Sequence, residues 1–446
     1  MLTTDLEDEG KMRIKIMTAI LPLLIILSCV SPADGGDIEA PEEPAFNIQP
    51  VWKLDTEYGT TSQPLQDGRY LYIVESNSVY HDEAAWFRIA KVDLESGAFA
   101  WRSPVIWDRE RTSPAVCGGR VFIQTYAGVM LALSNEDGSL IATIRFASTP
   151  EESKMHGADF HLVADESAIF WAHWDADPAN PRGLARFDTS LIDYSRNPSD
   201  IQTIAVEIVW GGEYSILTRP VIADGAIYVL TYNREYWDRS GYSILAAIDC
   251  DTLVERWRRN IPFFQGSFSH PILVSEGSVI IADQSLACYR TQDGTPRYEI
   301  PQDESNLLYE VLLGGAYSGA GIFYYNDKLY YTKSSHYKTA EMNGTPEKFN
   351  KNILCVDAST GRLLWGDMPP QSPSLGTRPI VAAGKVYVVA YDQLRVYDAE
   401  TGKLLGVDMT IRNGGNEPNA LYNGKLIFFD RDIKARKKTL TAIQVE

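Results

Sequence analysis

Residues 353–365 read Ile-Leu-Cys-Val-Asp-Ala-Ser-Thr-Gly-Arg-Leu-Leu-Trp. An apolar strand ends on Asp357, a tight turn is closed by Thr360 and Gly361, and a second strand places Trp365 four residues beyond the glycine. The turn has a physical basis. Asp and Thr side chains bond neighbouring backbone N–H groups, and glycine enters the left-handed region without a Cβ clash. Such a segment is a hairpin connection of about three to five residues with a bulge-type glycine.

The pattern recurs along the chain. Comparable strands end on Asp93, Ser134, Asp188, Asp249, Arg290, Asp357, Asp398 and Gln444, spaced by 41, 54, 61, 41, 67, 41 and 46 residues. A base unit of 41 with insertions fits that series, and periods of this size point to propeller blades of four strands. Before each copy a turn introduces an aromatic or β-branched strand, as in Gly68-Arg69-Tyr70-Leu71-Tyr72 and Gly384-Lys385-Val386-Tyr387. Before most of these stands a proline-marked strand, at Pro64, Pro114, Pro220, Pro271, Pro379 and Pro418, a position where proline is tolerated. Each unit therefore reads A strand, glycine turn, B strand, loop, C strand, Asp-to-Gly turn, D strand. Trp101, Trp210, Trp257, Tyr298 and Trp365 fall on D strands, where a large aromatic packs between neighbouring sheets.

The eighth copy has no D strand of its own, while Val51-Trp52-Lys53-Leu54 looks like an orphan one. An N-terminal strand that completes the last blade leaves no long open edge. The expected fold is all-β, an eight-bladed propeller of four-stranded antiparallel blades, with seven blades if the weakly marked third unit is irregular. Its structural repeat comprises Asp93, Asp188, Asp249, Asp357, Asp398, Gly361, Gly402, Trp52, Trp101, Trp257 and Trp365.

A formal charge of −18 argues against nucleic acid as a partner, because phosphate binding needs a basic face. The cysteines Cys29, Cys117, Cys250, Cys288 and Cys355 form no CxxC, CxxCH or adjacent pair, which removes haem-attachment and zinc-ribbon readings. The last three read as small buried hydrophobes. At the N-terminus, Lys11, Arg13 and Lys15 precede the apolar run 16–27, too short to span a membrane as a mature helix. Residues 1–28 are read as a signal peptide with Met12 as the true start. Ile26-Leu27-Ser28-Cys29 resembles the lipobox of bacterial lipoproteins, which implies cleavage before Cys29 and a lipid on its thiol; an ordinary secretory signal cut near Ala33 is the alternative. Residues 29–45, rich in Pro, Gly, Glu and Asp, read as a flexible tether, and 46–446 as the propeller.

The stretches 384–405 and 353–365 resemble the quinoprotein-type (PQQ-like) β-propeller repeat, and the resemblance extends over roughly 46–446. The Gly-His and Trp-Asp signatures of WD40 repeats are absent. Quinoprotein dehydrogenases hold their cofactor with a vicinal Cys-Cys disulfide, a calcium ion on acidic and amide ligands, and a catalytic Asp. This chain has no Cys-Cys and is shorter than is usual for those enzymes, so no cofactor is expected and a PQQ-dependent oxidoreductase is the less favoured reading. A lipid anchor followed by eight such blades resembles the outer-membrane assembly lipoproteins of the BamB type, scaffolds beside a membrane β-barrel insertase. That resemblance implies a non-catalytic scaffold propeller, exported as a periplasmic or outer-membrane lipoprotein. It would meet the membrane through its lipid and dock another envelope protein.

His156, His161 and His173, with Asp175 and Asp177, supply metal-ligand types, but no pair has helix or zinc-finger spacing, and no metal site is expected. No Gly-x-Ser-x-Gly, P-loop or dinucleotide fingerprint is present. The insertions fall mostly in B–C connections, at 76–87, 173–183, 232–243 and 333–350, which open on the same face as the D–A connections. They carry Tyr80, His81, Trp86, His173, Trp174, Tyr236, Trp237, His336 and Tyr337, residue types enriched at recognition sites. A fifth B–C loop is basic, with Lys434, Arg436, Lys437 and Lys438, and suits an acidic partner or lipid headgroups. Asp82, Glu83, Asp175, Asp177, Glu235 and Asp238 on the same loops leave an alternative open: a propeller that binds or cleaves glycans with acid/base pairs.

Overall fold

Short apolar runs alternate with two kinds of turn, and the runs become the strands of eight sheets, antiparallel but for one added parallel strand in each of two. The computed structural model describes residues 48–56, 64–77, 85–109, 112–146, 160–173, 183–205, 207–211, 215–216, 220–232, 243–261, 272–282, 286–300, 322–332, 353–367, 379–390, 393–408, 420–432 and 437–445. Strand β1 (Pro50–Thr56) comes first. Blade 1 is β2 (Leu65–Asp67), β3 (Tyr70–Ser76), β4 (Phe87–Asp93) and β5 (Ala98–Arg102). After β6 (Thr112–Ser113), blade 2 is β7 (Ala115–Cys117), β8 (Arg120–Gln124), β9 (Val129–Ser134) and β10 (Leu140–Phe146). Blade 3 is β11 (Phe160–Ala164), β12 (Ala168–His173), β13 (Gly183–Asp188) and, beyond β14 (Ile201–Ile204), β15 (Glu207–Trp210).

Blade 4 is β16 (Ser215–Ile216) and β17 (Val221–Ala223), both on β18 (Ala226–Tyr232), then β19 (Ser243–Asp249) and β20 (Glu255–Ile261). Blade 5 is β21 (Leu273–Ser275), β22 (Ser278–Ala282), β23 (Leu286–Arg290) and β24 (Pro296–Ile300). Blade 6 is β25 (Ile322–Tyr325), β26 (Lys328–Thr332), β27 (Ile353–Asp357) and β28 (Leu363–Asp367). Blade 7 is β29 (Ile380–Ala382), β30 (Lys385–Ala390), β31 (Gln393–Asp398) and β32 (Leu404–Asp408). Blade 8 is β33 (Ala420–Tyr422), β34 (Lys425–Asp432) and β35 (Lys437–Gln444), completed by β1. In that closure Trp52 lies opposite Ala442 and Leu54 opposite Leu440. The ring has eight blades, and the N-terminal strand closes it as the sequence implies.

The repeat turn forms as its residues require. The Asp357 carboxylate accepts hydrogen bonds from Ser359 N (3.0 Å), Ser359 Oγ (2.7 Å), Thr360 N (2.9 Å) and Thr360 Oγ1 (2.8 Å). Gly361 takes φ 71, donates to the Asp357 carbonyl (2.8 Å), and the β27–β28 register shifts at Cys355/Val356. Blades 2 and 5 lack the leading Asp and use a second solution. There Asp137 and Asp293, just before the glycine, accept from Ser139 N (3.0 Å) and Thr295 N (2.8 Å).

The repeat aspartates sit well below the ordinary carboxylate value of 3.8. Ser359 and Thr360 hold Asp357 at about 2, and Arg69 with the turn amides holds Asp93 at about 2. Asp188, Asp249 and Asp398 shift the same way, each first through the Ser or Thr of its own turn. A carboxylate depressed by folding stabilises the fold above its unfolded pKa, and that contribution disappears as pH falls through the folded one. The melting temperature is therefore expected to drop between about pH 4 and pH 2, and Asp357→Asn to flatten part of the drop. Melting curves across that window check this; a profile unchanged by the substitution would refute it.

The core lies between blades. Tyr72, Val74, Phe87 and Ile89 of blade 1 pack on Val121, Ile123, Leu131 and Leu133 of blade 2. Comparable clusters fill each following seam, and the last joins Leu71, Ile73 and Val92 of blade 1 to Ile427, Phe429 and Leu440 of blade 8. Middle strands are thus buried on both faces, as β3 shows, whereas the outer β20 alternates. D-strand tryptophans lock the seams. Trp101, Trp257 and Trp365 each donate Nε1–H to a carbonyl in the next blade's turn, at Asn135 (3.0 Å), Thr291 (2.8 Å) and Ala399 (3.1 Å). Their rings lie where a Cβ on the turn glycine would be, and Trp52 does the same at Gly97. Blade 4 has Leu253 at the glycine position, with φ 59, and there the incoming Trp210 bonds Glu255 Oε2 (2.6 Å) instead. Cys117, Cys250, Cys288 and Cys355 are free, and all but the half-buried Cys250 are buried.

Among the described residues, two strands fall outside the repeat. β6 pairs in parallel with β11, the inner strand of blade 3, and β14 pairs in parallel with β10, the outer strand of blade 2. β14 belongs to the C–D connection of blade 3, where Asp188 caps a 3₁₀ turn over Thr189–Leu191 instead of a tight hairpin. Part of the extra length of unit three therefore lies at the C–D end, opposite the face to which the sequence reading assigned most insertions.

Candidate functional site

The B–C end of blade 1 is built on an ion triad around a buried carboxylate. Glu75 is fully buried near the end of β3; its carboxylate accepts from Arg88 Nε (2.7 Å), directly across on β4, and from Arg102 Nη2 (3.1 Å) at the end of β5. The Arg102 guanidinium also lies 3.6 Å from the centre of the Phe99 ring. Above the triad the B–C connection is pinched where Trp86 N donates to Asn77 Oδ1 (2.7 Å) and Asn77 N to the Trp86 carbonyl (3.2 Å).

Residues 103–109 then lead from blade 1 towards blade 2 and are stapled on both sides. Ser103 N donates to the Ile89 carbonyl (2.8 Å), Ile89 N donates to Ser103 Oγ (3.0 Å), and Ile106 exchanges backbone bonds with Phe87 (2.8 and 3.0 Å). On the blade 2 side, Tyr126 N donates to the Arg109 carbonyl (2.8 Å) and Ala127 N to Asp108 Oδ2 (3.2 Å). This frame presents large side chains to solvent: Trp107 is 74 % exposed, Tyr126 47 % and Val105 40 %, with the half-buried Trp86 on the same end of blade 1. Exposed aromatics on a backbone fixed in this way leave little main-chain ordering entropy to lose on binding.

Of the residues picked from sequence, Trp86 stands on this rim and His173 ends β12 opposite Gly183. Lys437 and Lys438 belong to strand β35, paired with Asp432 and Arg431, and not to the connection. Cys29, Tyr80, His81, Trp174, Tyr236, Trp237, His336, Tyr337, Lys434 and Arg436 lie outside the described residues. So do the carboxylates Asp82, Glu83, Asp175, Asp177, Glu235 and Asp238. The long connections after β3, β12, β18 and β26 are B–C connections, as read from the spacing. Trp107, Val105 and Tyr126 were not among the sequence candidates. Their signal was present, an apolar Pro104-Val105-Ile106-Trp107 run in a D–A connection, but that connection carries no insertion to draw attention to it.

A family model described as outer membrane protein assembly factor BamB matches residues 349–411, which hold the last two strands of blade 6 and the whole of blade 7. Among solved structures, BamB from Moraxella catarrhalis is 14 % identical with a TM-score of 0.56, over 90 % of this chain and 98 % of that one. The fold is a β-propeller shared with that protein. The propeller is equally similar to a europium-containing methanol dehydrogenase, 12 % identical with a TM-score of 0.58, over 89 % and 93 % of the two chains. A quinohemoprotein alcohol dehydrogenase from Comamonas testosteroni is 11 % identical with a TM-score of 0.55, over 89 % and 76 %. Among curated proteins, no sequence matches this chain. At such identities the propeller shares a fold with scaffold and enzyme alike, and function has to be argued from residues.

Two features of a dehydrogenase-type quinone site bear on this chain, the vicinal cysteines over its whole length and the metal ligands among the described residues. The chain has no vicinal cysteines, and the four described ones are dispersed over blades 2, 4, 5 and 6. Burial raises each thiol, Cys355 to about 11, so these are packing residues. Among the described residues, no three His, Cys, Asp or Glu side chains gather as metal ligands.

Proposed function

We propose that this propeller is a non-catalytic scaffold of the bacterial cell envelope, lipid-anchored through Cys29, that docks another envelope protein through the rim of blades 1 and 2. The observation that carries the reading is Trp107, a tryptophan 74 % exposed on a backbone bonded to both blades. Exposed Trp and Tyr on a rigid frame are what a protein interface uses as anchors. The match of residues 349–411 to the BamB model supports the same class of role.

The expected result is that Trp107→Ala with Tyr126→Ala weakens capture of the envelope partner by about 2 kcal/mol or more, roughly thirty-fold. The melting temperature should not move, because neither ring is buried. Pull-down from solubilised envelopes with each variant, beside a glycan array, reads both. Binding of a defined glycan lost in the same variant, with no protein captured, would establish the carbohydrate-directed alternative instead.

A further inference from the structure

Strand β14 offers a second surface, on the outer wall and independent of the rim. It is the outermost strand of the blade 2 sheet, and among the described residues no strand pairs on its far side. In six of the other seven blades the outermost strand contains a charged residue outside the core: Lys53 and Asp55, Arg102, Glu207, Arg256, Arg297 and Glu299, and Asp367; in β32 the only one, Asp408, is buried. β14 reads Ile-Gln-Thr-Ile and contains none. Charge is a principal device by which natural sheets keep an edge from accepting another strand. Of the eight outermost strands, β14 alone has no charged residue in its sequence.

The edge is also held in place. Gln202 is buried, accepts from Asp193 N (2.9 Å) and donates to the Asp193 carbonyl (2.9 Å). Thr143 Oγ1 donates to the Pro198 carbonyl (2.8 Å), and Ile204 packs on the core between blades 2 and 3. Ile201 and Thr203, on the opposite face of the strand, are exposed, Ile201 at 45 %. A fixed, uncharged edge with β-branched side chains presents its backbone groups as a template for strand addition.

We propose that β14 binds an extended, uncharged, β-branched segment of another polypeptide, which adds to the blade 2 sheet as a further strand. A second copy of this chain is the weaker occupant: a strand pair over the 4 residues of β14 buries far less than the ~1,000 Å² a stable dimer needs. The probe is a fluorescein-labelled peptide of about ten residues with alternating valine and threonine between soluble ends, beside its backbone N-methylated counterpart, titrated against the full chain by anisotropy. The peptide is expected to bind and the N-methylated one not. Ile201→Lys with Thr203→Lys should weaken binding at least about ten-fold without changing the melting temperature, and Trp107→Ala should leave it intact. No binding at millimolar protein, equal binding of the N-methylated peptide, or affinity unchanged in the lysine variant would each overturn the proposal. So would a dimer, by mass, that the lysine variant dissolves.

Discussion

Trp101→Ala is expected to cost about 3–5 kcal/mol, read as a shift in the denaturant midpoint. Trp101 is 8 % exposed, packs with Tyr72 at a centroid distance of 6.2 Å, and lies in the core between blades 1 and 2. Its Nε1 shares the Asn135 carbonyl with Lys91 Nζ (2.9 Å), while Tyr72 Oη donates to Asn135 Oδ1 (2.6 Å). Truncation leaves a cavity and removes one bond of that knot. The same seam can be broken from the other side. A Cβ on Gly138 would lie 2.5 Å from Trp101 Cε3, and φ there is 75, so Gly138→Ala meets both a clash and left-handed strain. Trp365 is half-buried and should cost less than Trp101, although its contacts are of the same kind. Unchanged stability in Trp101→Ala would mean that the D-strand tryptophans do not hold the blades together.

That prediction rests on features legible in the sequence. The spacing of Asp357, Gly361 and Trp365 encodes a local event, a hairpin turn, and its repetition encodes the ring. The N-terminal closure was legible for the same reason, because a D strand without a blade and a blade without a D strand match. Unit three was not legible. Its C–D connection forms β14 through pairing with a different blade, and no local pattern announces a parallel partner some sixty residues away. The rim was half legible. Trp86 sits beside an insertion and was picked out by it. Trp107 is exposed because Ser103, Ile106 and Arg109 are bonded to two blades at once, which follows from tertiary position and not from composition. The choice between an interblade tryptophan such as Trp101 and a solvent-facing one such as Trp107, six residues later, is made by the seam geometry.

Glu75→Ala is expected to destabilise by about 3–5 kcal/mol, because it strands two guanidiniums around a fully buried position. Taking the charges out of water was costly, and the carboxylate is what offset that cost. It follows that the loss should depend only weakly on salt, since the Glu75 carboxylate is buried and the two arginines are only partly open to solvent. It also follows that converting all three residues to apolar ones of similar size should recover most of the stability, by the same desolvation argument. The combination Glu75→Leu, Arg88→Met, Arg102→Met tests this by denaturant midpoint. The triad lies beneath the strand ends that carry Trp86 and the connection to Trp107, yet that connection is fixed by its own bonds from Ser103 and Ile106. The triple variant should therefore show partner capture together with stability, and Glu75→Ala should lose capture only to the extent that it unfolds. Recovery of stability without capture would assign the arginines to the docking surface itself, and would move the recognition chemistry of this rim from aromatic contact to charge.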